Sequence, residues 1–402
     1  MTAIPRFRAQ AGPVLFSAGF RPFFLVSALW AAIAVPLWLL SLAGDGEVPS
    51  VLSPVYWHVH EMVFGYGAAT VAGFLLTAIP NWTGRMPLQG GPLGLLVGLW
   101  LAGRIGVLLS AVIGAPSAAI LDLAFPLVFL GVVAREILAG RNWRNLPMLV
   151  ALLLLLLGNL GVHLEALGIA VTAEIGNRLG LATLLMLISL VGGRIIPSFT
   201  RNWLAKQNAE AAVPAPFDAF DRAALLLTGL ALAAWVIVPD AAIASWAELA
   251  AGIALGLRLW RWRGASTLRE PLLWILHLGY FWLALGFLLL ALDGFFPLVP
   301  ETSALHALTV GAIGTMTLAV MTRASLGHTG RPLVAGRGTT TIYALVTAAA
   351  VLRLLAPLAG DQYMPALSVA GIAWSGAFGL FFVLYLRPLA QPRVSGGEAR
   401  PI

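Results

Sequence analysis

Apolar runs follow one another along almost the whole chain. Each is long enough to cross ~30 Å of bilayer hydrocarbon as a helix rising ~1.5 Å per residue. The runs fall near 22–42, 59–81, 92–112, 116–136, 146–165, 177–197, 222–239, 241–258, 271–292, 303–323, 340–357 and 365–386, with Glu248 interrupting the eighth. They are too long for strands, and barrel strands would alternate polar with apolar residues. The expected fold is therefore all-α: a polytopic membrane bundle of about twelve transmembrane helices, forming one integral membrane domain over 1–402. Only 10% of the residues are charged, far from the roughly 25% of a soluble domain. No cysteine is present, which excludes disulfides, thiolate zinc sites and cysteine-ligated iron–sulfur clusters. The first run follows Arg6 and Arg8 as a signal peptide would, but it is too long for an h-region and lacks a cleavage site. It reads as an uncleaved first span.

Loop charges set an orientation. Basic residues occupy the N-terminus (Arg6, Arg8) and the connections holding Arg85, Arg141 and Arg144, Arg201 and Lys206, Arg261, Arg263 and Arg269, and Arg331 and Arg337, and then the C-terminus (Arg393, Arg400). The intervening connections carry Asp45, Glu47, Glu174, Asp240, Asp293, Glu301 and Asp361 instead, with Arg178 at a helix edge. This alternation is the positive-inside pattern. It predicts a membrane protein that contacts lipid throughout and has both termini in the cytoplasm. Leu259-Trp260-Arg261-Trp262-Arg263 reads as a basic interfacial anchor, not as a nucleic-acid site.

Spacing points to an internal repeat. The second run opens at His60 and leads to Thr83-Gly84-Arg85; the tenth opens at His306 and leads to Thr329-Gly330-Arg331. The second and sixth end alike, in Ile79-Pro80 and Ile196-Pro197, an alignment that sets Asn177 opposite His60. Arg21-Pro22, Arg144-Asn145-Leu146-Pro147 and Arg269-Glu270-Pro271 open the preceding runs. Three four-helix units, near 14–136, 144–260 and 269–388, are expected. The alternative is coincidence among apolar sequences that share small residues by composition.

The topology places His58, His60, His163 and His306 near the outer face, His277 toward the inner end of the ninth run, and His328 in a cytoplasmic loop. Imidazole is the usual nitrogen ligand of heme iron and of copper, so all six are candidate metal ligands. Each is weighed against an ordinary hydrogen-bonding role. On a regular helix His58 and His60 would point roughly 200° apart; they share a metal only if the helix starts between them.

Arg104, Asp122 and Arg353 lie inside predicted spans, where charge is costly and marks function by default. Arg104 or Arg353 would grip heme propionates, since a guanidinium binds carboxylate in a two-pronged manner. The competing reading is an Arg104–Asp122 structural pair, or snorkelling. Glu61, beside His60, would orient a ligand or move protons, or simply sit at a helix N-terminus.

Phe16 to Phe24, Trp57-His58-Val59-His60-Glu61-Met62, Gly73 to Arg85, Gly192 to Thr200 and Met321 to Arg331 resemble the NnrS family over essentially the whole chain. That resemblance implies a bacterial inner-membrane protein containing heme, of b type, and copper, associated with denitrification and with tolerance of nitric oxide. It implies nitric oxide or nitrosyl species as the small-molecule partner, without a settled reaction. It also raises His328, which lies inside a family motif. Two other classes compete: a transporter of metal, heme or a small anion, which would put polar residues near the midplane, and an accessory partner of nitric oxide reductase.

Overall fold

The computed structural model describes residues 12–394 apart from 45, 208–212 and 297–298. Arg6, Arg8, Asp45 and Arg400 lie outside the described residues. No strand occurs among those described. The long helices are α1 (Phe20–Ala43), α2 (Pro54–Thr83), α3 (Gly91–Leu108), α4 (Ala115–Ala139), α5 (Leu146–Ala166), α6 (Ala173–Lys206), α7 (Ala219–Ile237), α8 (Ala242–Arg261), α9 (Pro271–Phe295), α10 (Glu301–His328), α11 (Arg337–Leu355) and α12 (Tyr363–Ala390).

Local chemistry sets several starts. Ser53 accepts a hydrogen bond from the Tyr56 N–H just before Pro54, a side-chain cap followed by proline at the first helical position. Asp218 and Asp221 form a reciprocal capping box at α7, and Glu270 caps α9 ahead of Pro271. Apolar length does the rest, since a backbone in lipid must satisfy its own polar groups.

Among the described residues, eleven helical stretches are long and apolar enough to cross a membrane; the chain is a multi-pass membrane protein. The last stretch, Arg337–Ala390, holds both α11 and α12. A 3₁₀ turn over Ala356–Gln362 separates them, with Gly360 at φ 53°, a conformation that costs glycine little. A Cβ on Gly376 would meet Leu345 Cδ1 at 3.6 Å, so α12 folds back along α11.

Among the described residues, three helices turn π-helical. α2 turns π-helical over Glu61–Gly67, α6 over Ile188–Gly192 and α10 over Ala307–Gly314. Such segments are rare and cluster at functional sites. These are the same three helices that the sequence spacings align.

The chain forms two compact units. One holds the residues up to Gly180 with His328–Gly330 and the turns from Phe382; the other holds Leu181–Gly327 and Arg331–Phe381.

Candidate metal centre

The first unit encloses a group of polar side chains drawn from five helices. The cap at Ser53 starts α2 so that His60 lies in its second turn, and the π segment begins at the next residue. His60 and Glu61 are both wholly enclosed, and His60 Nδ1 lies 3.0 Å from Glu61 Oε1. α1 supplies Trp30, α3 supplies Trp100 and Arg104, and α4 supplies Asp122. α5 supplies Asn159 and His163, four residues apart and so on one helix face.

Asp122 is the hub. Its Oδ2 lies 3.2 Å from His60 Nε2 and 2.9 Å from His163 Nε2, and it accepts a 2.8 Å bond from Asn159 Nδ2. Its Oδ1 accepts from Arg104 Nη2. Arg104 Nη1 donates to Glu61 Oε2 at 2.6 Å, and Trp30 Nε1 donates to the same oxygen at 2.7 Å. Asn159 Oδ1 stands 2.9 Å from His60 Nε2. The π segment matters here too, because the Gly65 carbonyl accepts from Trp100 Nε1 at 3.0 Å. A Cβ on Gly65 would sit 2.8 Å from Arg104 Nη1 and 2.9 Å from Glu61 Oε2, so any other residue there would push this ion pair aside.

Burial demands that the cluster be close to neutral, since an uncompensated charge in a low-dielectric interior is very costly. Two carboxylates face one guanidinium. The remaining positive charge comes either from a proton on an imidazole or from a bound cation. His60, Asp122 and His163 each offer a ligand atom within 4.8 Å of the others, all buried. Two imidazole nitrogens and one carboxylate oxygen suit copper, zinc or iron. Glu61 on His60 Nδ1 would fix that ring, as outer carboxylates do for metal-bound histidines. The donor set therefore fits copper.

The other predicted ligands lie apart from this cluster. The His58 ring stacks on Trp38, with centroids 4.0 Å apart and planes at 21°. His306 is half-buried on α10, and its Nδ1 bonds the Thr302 carbonyl at 2.6 Å. His277 is buried with Nε2 3.0 Å from Thr200 Oγ1. His328 is exposed and lies beside Phe20, with ring centroids 5.3 Å apart. Phe20 bonds Thr77, about 25 Å along α2 from His60 at ~1.5 Å per residue. Of the two arginines expected to bind a cofactor, Arg104 is committed to Glu61 and Asp122, whereas Arg353 meets no carboxylate among the described residues.

Sequence reasoning singled out Asp122 but missed Asn159, Trp30 and Trp100. The four-residue spacing of Asn159 and His163 was the available signal. It also missed a second buried group, in the other unit. There Arg258 Nε donates to Asp221 Oδ1 at 2.7 Å, and Nη1 donates to the Ser189 carbonyl at 3.0 Å and to Tyr280 Oη at 2.9 Å. Ser189 belongs to the π segment of α6. Asp221 and Arg258 sit at the edges of apolar runs, where charges are ordinarily interfacial.

No curated protein matches the chain. A family model described as NnrS protein matches residues 14–393. With nearly its whole length matched, the chain belongs to the NnrS family.

Proposed function

We propose that this protein serves the bacterial nitric oxide response from the inner membrane, holding copper on His60, Asp122 and His163. The observation that carries the reading is the enclosed set of three ligand atoms within 4.8 Å of one another, in a chain of the NnrS family. Copper bound there would supply a centre able to exchange an electron with nitric oxide or a nitrosyl species. The chain's own part is to hold the two imidazoles on one carboxylate, to orient His60 through Glu61, and to exclude water by burial. A b-type heme belongs to the same reading, and His306 of the second unit would be a candidate residue to hold it. Denitrification and nitrosative stress are the proposed settings, with a functional link to nitric oxide reductase.

A second reading is favoured by one observation: both nitrogens of His60 face acceptors, at Glu61 and at Asn159 and Asp122. A doubly protonated His60 would then balance Glu61, Asp122 and Arg104 with no metal, and the cluster would hold a proton.

Copper titration of the detergent-purified, chelator-treated protein tests both, followed by electron paramagnetic resonance and metal analysis. The metal reading expects stoichiometric Cu(II) with nitrogen hyperfine structure, lost in His60→Gln, His163→Gln and Asp122→Asn. Copper binding indifferent to all three substitutions would sink it and leave the proton-holding cluster.

A further inference from the structure

Arg353 stands in the last turn of α11 and is only 6% exposed. Its Nε and Nη1 are enclosed and donate no hydrogen bond. Of the other three buried arginines, Arg21 donates to the Leu389 and Gln391 carbonyls, while Arg104 holds the carboxylates of Glu61 and Asp122 and Arg258 that of Asp221. Arg353 has none among the described residues. The titratable neighbour that acts on it is the phenol of Tyr363, a neutral group with an O–H to donate. A buried guanidinium without an acceptor is costly, and guanidinium does not shed its proton. The charge therefore calls for an anion from outside the chain.

The surroundings suit one. Ser303 Oγ donates to the Leu354 carbonyl at 2.9 Å, which ties the start of α10 to the end of α11 beside Arg353. α10 begins at Glu301 and α12 at Tyr363, so two helix N-termini, whose free N–H groups favour negative charge, lie at this end. No acid of α10 or α12 pairs with Arg353.

We propose that Arg353 anchors an oxyanion site where α10, α11 and α12 meet, taking a carboxylate or a small planar oxyanion such as nitrite in the fork of its guanidinium. The fork presents parallel N–H donors that match two oxygens of one anion. The source is either a free anion or a carboxylate carried by a bound cofactor. The site is independent of the copper reading, since its residues belong to the other unit.

The test uses the full-length protein in detergent. Thermal unfolding is followed by tryptophan fluorescence in nitrite, nitrate or formate against chloride at equal ionic strength, for wild type, Arg353→Lys and Arg353→Met. Heme content is read optically in the same samples. Oxyanion stabilisation of wild type beyond chloride, reduced in Arg353→Lys and lost in Arg353→Met, supports a free anion. No oxyanion effect in wild type, with a several-fold loss of co-purifying heme in Arg353→Met and a smaller loss in Arg353→Lys, supports a cofactor carboxylate. Equal oxyanion response and equal heme content in all three proteins overturn the proposal. If Arg353→Met does not fold, wild type and Arg353→Lys decide by the same criteria. His60→Gln should keep the oxyanion response, which separates this result from failure of the copper reading.

Discussion

Arg104 on α3 reaches Glu61 on α2 with Nη1 2.6 Å from Oε2, and both side chains are closed off from solvent. Its second amino group goes to Asp122 on α4. One guanidinium thus holds two carboxylates from different helices, and the same two carboxylates face His60. Position, charge and imidazole orientation in the cluster therefore depend on Arg104.

Replacing Arg104 with methionine leaves two enclosed carboxylates facing no guanidinium. Breaking a buried ion pair from one side costs roughly 3–5 kcal/mol, so a large fall in stability is expected in detergent unfolding experiments. Arg104→Lys should recover little of it, because a single ammonium cannot serve two acids as a planar fork does. A lysine variant as stable as wild type would argue against the bridging role.

Gly65→Ala places a methyl group 2.8 Å from Arg104 Nη1 and 3.0 Å from Trp30 Nε1. Overpacking of this kind costs about 1–3 kcal/mol, and here it also parts the ion pair. Gly98→Ala is the control, since nothing lies within 4 Å of a Cβ there; it should be neutral or slightly stabilising. Thermal unfolding of the two variants side by side makes the comparison.

Glu61→Gln keeps the shape of the side chain that meets His60 Nδ1 but removes its charge. If copper sits on His60, affinity should drop roughly 10–100-fold, as it does when an outer carboxylate is lost. His58→Ala should leave affinity unchanged, because His58 stacks on Trp38 outside the cluster. Competition titrations against a chelator of known affinity read both.

Asp218, ahead of α7, is held down to about 2 from 3.8 by its hydrogen bonds to Arg261, with the Asp221 and Phe220 N–H groups adding to the effect. A carboxyl lowered on folding stabilises fully above its unfolded value and loses that contribution as pH falls through the folded one. Asp218→Asn retains a capping side chain but not the charge. Its stability should fall short of wild type above pH ~4, and the gap should close toward pH ~2. A gap that does not change with pH would assign the whole effect to capping.

The membrane architecture was readable residue by residue. Each apolar run, such as the one that became α9 from Pro271, carries its own length, while α2 and α7 begin earlier than their runs, at the caps Ser53 and Asp218. Even Glu248 failed to interrupt α8, because it is buried against the rest of the bundle and not exposed to lipid.

The candidate site was readable only in part. Depth along a helix follows from counting residues, so His58, His60 and His163 could be assigned to one end of the bundle. Which of them converge depends on how each helix is rotated about its axis. His58 and His60 both lie in the regular first turns of α2, ahead of the π segment at Glu61–Gly67, so they face nearly opposite sides of the helix. His60 turns inward to Asp122 and His163, while His58 turns to Trp38. The sequence by itself determined that the chain would cross a membrane many times and set His60 and His163 at one level, because hydrophobic length and spacing are local properties. Only the tertiary structure decided that Asp122 would be the hub, that Arg104 would be taken by acids and that Arg353 would be left without one. Those outcomes depend on which side chains from distant helices come to share one enclosed space.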